Sequence, residues 1–108
     1  MTNLEKKLFD YGYKNSRVPV TNKYADRFFQ KRIVDKKNNR TMFFINCFIY
    51  LSDSMIIEDK AEFGIYFNNN DYSCYITMYG FNDKDIDLFM VESDSIDLYK
   101  TIRGNYYE

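Results

Sequence analysis

The sequence predicts an α+β fold: a short N-terminal helix, an antiparallel sheet of four or five strands, and a C-terminal helix. Three observations carry this. Helical spacing of apolar residues occurs near both ends of the chain. Apolar runs that alternate with period two fill the middle. Short polar turns separate those runs in pairs.

The first helix rests on Leu4, Leu8 and Tyr11, which recur at the spacing of one helical face, with Thr2 and Glu5 placed as a capping box. Gly12 stands where a helix-ending glycine belongs. The polar segment from Tyr13 to Lys23 holds the lone proline, Pro19, and reads as an extended connection.

Four strands follow. Tyr24 to Asp35 and Arg40 to Leu51 flank the turn Lys36-Lys37-Asn38-Asn39. Ala61 to Asn68 and Tyr72 to Phe81 flank Asn69-Asn70-Asp71. Between the hairpins, Ser52 to Lys60 is a connector that Met55, Ile56 and Ile57 can anchor. Alternation assigns Phe43, Ile45, Cys47, Ile49 and Leu51 to one face, together with Ala61, Phe63, Ile65 and Phe67, and Cys74, Ile76 and Met78. The segment Asp85 to Glu92 begins with alternation and continues into an apolar run, which reads as a fifth strand. A final helix follows, with Ser93 or Ser95 as its cap, Ile96, Tyr99 and Ile102 on its inner side, and Gly104 as its stop.

The 108 residues suit a single domain, residues 1–108, and the 19% aromatic content supplies a core without disulfides. Cys47 and Cys74 lie in apolar runs and read as reduced core thiols. No apolar run is long enough to cross a membrane as a helix, and the N-terminus lacks a secretory stretch, so the expected location is the cytoplasm of a host cell. Phe, Tyr, Met, Ile, Asn and Lys make up 57 residues, against two alanines. Their AT-rich codons point to an AT-rich genome, such as a low-GC bacterium or its phage; a GC-rich reading frame would overturn that reading.

Histidine is absent, which removes Ser-His-Asp and Cys-His catalysis and the usual histidine-containing zinc sites. With four glycines, the chain also lacks a phosphate loop, a dinucleotide fingerprint and a nucleophile elbow. Asp83, Asp85 and Asp87 have the spacing of the first calcium-loop ligands. Leu88 and Asp94 stand where that loop requires glycine and glutamate, so a solvated acidic edge is the better reading. Glu58-Asp59-Lys60 matches the Glu-x-Lys element of metal-dependent nucleases, with Asp53 upstream, but two fixed residues match by chance often. The expectation is therefore no enzyme activity, no metal and no cofactor.

The opposite sheet face carries Met42, Phe44, Phe48, Tyr50, Tyr66, Tyr75, Thr77, Tyr79 and Phe81, where a one-sided sheet would be polar. Charge divides along the chain. Residues 1–54 hold eleven basic and five acidic side chains, and residues 55–108 hold four and eleven. These features point to a non-catalytic protein-binding module, with Phe44, Phe48, Tyr50, Tyr66, Tyr75, Tyr79, Asp83, Asp85 and Asp87 as its partner-binding residues. In an AT-rich setting this becomes a phage or mobile-element inhibitor of a host nucleic-acid-processing or defence enzyme, anti-CRISPR-like in role. An alternative is nucleic-acid binding through Arg27, Lys31, Arg32, Lys36, Lys37 and Arg40 on a basic hairpin beside the aromatic face. A further alternative is a structural homodimer that buries that face.

Overall fold

A computed structural model describes residues 3–20, 24–51, 60–66, 73–79 and 88–107; at 3, 73–79 and 105–107 it describes the backbone alone. Helix α1 (Asn3–Asp10) leads into a short strand β1 (Lys14–Ser16). Strands β2 (Arg27–Asp35), β3 (Arg40–Tyr50), β4 (Lys60–Tyr66) and β5 (Ser73–Tyr79) follow, and helix α2 (Glu92–Tyr107) comes after them. The sheet is an antiparallel meander in the order β1-β2-β3-β4-β5. The α+β arrangement is the expected one; β2, β3 and β5 fall inside their predicted runs, and β4 begins one residue early, at Lys60, which was expected in the connector.

Helix α1 ends in a two-bond cap. The Tyr13 N–H donates to the Leu8 carbonyl at 2.9 Å and the Gly12 N–H to the Phe9 carbonyl at 3.1 Å, with Gly12 at φ 90°. This is the Schellman arrangement, which requires a left-handed residue where glycine stands. The reversal turns Tyr13 inward. Tyr11, expected on the buried face with Leu4 and Leu8, is 44% exposed, and Tyr13 fills that role at 2%.

The four-residue turn between β2 and β3 is fixed by its own polar groups. The Asn39 N–H donates to the Asp35 carbonyl, the Lys37 N–H to Asp35 Oδ1 at 2.9 Å, and the Arg40 N–H to Asn38 Oδ1 at 3.0 Å. Asn39 takes φ 56°, a conformation that asparagine tolerates better than most residues.

One sheet face and the two helices enclose the core. Phe29, Ile33, Phe43, Ile45, Cys47, Ile49, Ala61, Phe63 and Ile65 form one cluster with Leu4, Leu8, Tyr13, Phe89, Met90, Tyr99 and Ile102. Rings order it: Phe63 stacks on Phe89 at 4.8 Å, and Phe43 on Tyr99 at 4.5 Å. In register, Cys74, Ile76 and Met78 stand opposite Ile65, Phe63 and Ala61, as the alternation predicts. Strand β4 lies between the strands of Cys47 and Cys74. Two interstrand spacings, about 9.5 Å, exceed the reach of a disulfide.

Besides Tyr11, four expectations need correction. Residues 88–90 are helical and Glu92 opens α2, so the Asp85–Glu92 segment is not a strand over its described part; 85–87 lie outside the described residues. Leu88, Phe89 and Met90 are helical, with Phe89 and Met90 buried and Val91 exposed at the bend before α2, and a short apolar run of this kind cannot be told from a strand by sequence. Gly104 does not stop the helix, which continues to Tyr107. Leu51, expected among the core residues, is 40% exposed, just beyond the end of β3. A register shift between Ile33/Val34 and Phe43/Thr41 leaves Met42 as the extra residue of a bulge, so Met42 packs against the core instead of lying on the opposite face.

Candidate functional site

The pleat places Phe28, Gln30 and Arg32 of β2, Phe44, Asn46, Phe48 and Tyr50 of β3, and Lys60, Glu62, Gly64 and Tyr66 of β4 on the face opposite the core cluster. Among the described residues, every buried hydrophobic side chain of the helices belongs to the core-side cluster.

Pairing groups these residues into rows. Ser16, Phe28, Phe48 and Glu62 face one another in sequence across four strands, as do Lys14, Gln30, Asn46 and Gly64. A third row runs Arg32, Phe44, Tyr66, and a fourth begins Tyr50, Lys60. The register carries Tyr75 opposite Gly64 and Tyr79 opposite Lys60.

The rows differ chemically. Phe28 and Phe48 stack at 4.8 Å and are each 6% exposed, so Phe48 offers little contact area. Gln30 Nε2 donates to Asn46 Oδ1 at 2.9 Å, which gives the nearly buried Asn46 a partner. The Lys60 ammonium lies 4.4 Å from the centroid of the Tyr50 ring, a cation–π contact. Phe44, Tyr50 and Tyr66 are half-buried. Of the expected partner-binding residues, Phe44, Phe48, Tyr50 and Tyr66 therefore share one surface, with Tyr75 and Tyr79 at register positions beside them. Asp83, Asp85 and Asp87 lie outside the described residues, as do Asp53, Glu58 and Asp59.

The basic cluster divides between the two faces. Arg27 and Lys31 stand opposite Ile49 and Ile45 and so belong to the core side. There Arg27 Nε pairs with Glu5 Oε2 at 3.4 Å, and Lys31 Nζ lies 5.9 Å from the Tyr13 ring centroid. Arg32 lies on the open face, where its Nε–H donates to Thr41 Oγ1. Lys36 and Lys37 occupy the turn, and Arg40 opens β3.

Two basic residues escaped the sequence reading. Strand β1 brings Lys14 beside Gln30 and Arg32, where with Gly12, Ser16, Val34 and Phe44 they line a hollow of about 430 Å³. The helix-ending Gly12 was the available signal, because its cap returns the chain to the sheet edge. Arg103 escaped because no local pattern in α2 signals that the helix lies against the β2–β3 turn.

Two buried groups are held in their neutral forms. Burial drives the Tyr13 hydroxyl well above its ordinary pKa, with the nearby Cys47 adding to the shift, and this hydroxyl donates to the Phe89 carbonyl at 2.6 Å. Burial likewise drives the Cys47 thiol upward, which makes it a poor nucleophile. Among the described residues, no three acidic or cysteine side chains gather to hold a metal, and no helix is long and apolar enough to cross a membrane. In comparisons with known proteins, no family model, no curated protein and no solved structure matches the chain.

Proposed function

We propose that this chain is a non-catalytic protein-binding module whose contact surface is the sheet face opposite the helices. The observation that supports it is the arrangement of Phe44, Tyr50 and Tyr66 on that face, half-buried and edged by Arg32 and Lys60, while the helices bury their apolar residues on the other side. Aromatic rings beside polar and cationic tips are the composition of protein interfaces. The narrower reading is an inhibitor from a phage or mobile element acting on a host nucleic-acid enzyme. It draws on the AT-rich composition and the acidic second half, of which Glu92, Asp94 and Asp97 stand on α2.

A second reading, nucleic-acid binding, is supported by the hollow in which Lys14 and Arg32 flank Phe44, an arrangement suited to a stacked base and its phosphate. One experiment separates the two. Affinity capture from the source cell compares the wild type with Phe44→Asp and Tyr66→Asp, alongside titration of a mixed-sequence oligonucleotide at low salt. The protein reading expects a defined partner that both variants lose while staying folded. Capture unchanged in both variants would overturn it. Oligonucleotide binding that falls steeply with salt and weakens in Lys14→Gln and Arg32→Gln would favour the second reading.

A further inference from the structure

We propose that a hollow between the β2–β3 turn and the C-terminal half of α2 binds a phosphate group, with Arg40 and Arg103 as its two cations. It adjoins the open sheet face at Thr41, whose Oγ1 accepts from the Arg32 Nε–H. Among the described residues, β1 pairs with β2 only between Phe28 and Gln30, and β4 pairs with β3 only from Phe44 onward. The segment around the turn is thus a two-stranded ribbon, and α2 lies against its core side, with Tyr99 stacked on Phe43. The hollow has a volume of about 490 Å³ and is lined by Asp35, Asn38, Arg40, Thr41, Met42, Tyr99 and Arg103.

Its hydrogen-bond inventory is one-sided. The ribbon already engages several of the acceptors: Asn38 Oδ1 accepts from the Arg40 N–H, Thr41 Oγ1 from Arg32 Nε–H, and Asp35 Oδ1 from the Lys37 N–H. The Tyr99 hydroxyl oxygen accepts from Arg103 Nη1 at 3.5 Å. Beside the second Asp35 oxygen, what remains is mostly donors, namely the Asn38 amide, the Thr41 hydroxyl proton and the other N–H groups of two guanidiniums. Two fixed positive charges face one carboxylate, and Lys36 and Lys37 occupy the same turn. A phosphate supplies what the hollow lacks, acceptor oxygens with up to two negative charges, in a shape that guanidinium forks match. The volume falls in the range of small-molecule sites, so it admits a phosphomonoester the size of a nucleotide.

Amide NMR of the full chain, titrated separately with inorganic phosphate, AMP and a short mixed-sequence oligonucleotide, tests this. The expected result is saturable shifts at Arg40, Thr41 and Arg103, weakened at least about tenfold in Arg40→Gln and in Arg103→Gln, and unchanged in Phe44→Asp. Both arginines are exposed, so an unperturbed spectrum elsewhere will show that the variants remain folded. Saturation with phosphate or AMP identifies a small phosphorylated ligand. Saturation at the same residues by the oligonucleotide alone identifies a nucleic-acid phosphate. Binding that is absent in all three titrations, that survives both arginine variants, or that falls equally in Lys36→Gln with Lys37→Gln would overturn the proposal.

Discussion

Gly12 and Gly104 show how one residue type serves opposite needs. Gly12 sits at φ 90°, where an L-residue is strained even though the space for a Cβ is adequate, its nearest neighbour being Lys31 Cε at 3.7 Å. Gly104 lies inside α2, and a Cβ there meets nothing within 4 Å. Gly12→Ala should lower stability by about 1–2 kcal/mol, whereas Gly104→Ala should raise it by about 0.5–1 kcal/mol. Urea denaturation measures both, and opposite signs are the expected result. Tyr13 provides a pH signature. Its folded pKa lies above the unfolded value near 10.0, so its neutral form stabilises the fold fully below that pH. Stability then falls as pH rises from the unfolded toward the folded pKa, and Cys47 adds a loss in the same direction beginning near its ordinary value of 9.0. Tyr13→Phe should flatten the upper part of this alkaline decline. At neutral pH it should cost about 1–3 kcal/mol, because the Phe89 carbonyl loses its buried donor. Arg27→Ala would be a misleading probe of nucleic-acid binding, since it strips an ion-pair partner from the nearly buried Glu5.

The elements differ in how far the sequence announced them. Strands β2 to β5 were legible because period-two alternation and polar turns agree, and agreement between local signals is what makes a pattern reliable. The core face was legible for the same reason, from Phe43 through Ile49 and from Ala61 through Ile65. Strand β1 was not. Lys14-Asn15-Ser16 has no apolar alternation, and its pairing with Phe28, Phe29 and Gln30 follows from the chain reversal at Gly12. The bulge at Met42 was equally hidden, because a one-residue slip is set by tertiary packing and moves a side chain to the other face. Around α2 the apolar run misled. The Ser95 hydroxyl, itself fully buried, donates to the carbonyls of Leu88 and Val91 and ties the helical residues 88–90 to the following helix. On the candidate surface, alternation groups Phe44, Phe48, Tyr50 and Tyr66 on one face, whereas Phe81 lies outside the described residues. The basic residues do not group in this way, since their assignment as one cluster ignored that Lys31 and Arg32 point to opposite faces of one strand.

For the molecule as a whole, the division of labour between the two sheet faces is the organising fact. One face is sealed by α1, residues 88–90 and α2. The other presents paired rows in which a stacked Phe28–Phe48 centre is flanked by polar and cationic positions. This arrangement also determines how the chain can assemble. Each strand pairs with its sequence neighbour, so the sheet can form hairpin by hairpin with little loop entropy to overcome. The helix that supplies Tyr99 and Ile102 to the core follows all five strands. During synthesis, therefore, the sheet's apolar face is only partly covered, first by α1, until residues 88–90 and α2 emerge, and the nascent chain is most prone to aggregate in that interval. A chain ended after Tyr79 should bind a hydrophobic dye and sediment as aggregate, whereas the full chain should do neither; a soluble, dye-silent truncation would show that α2 is dispensable for closing the core.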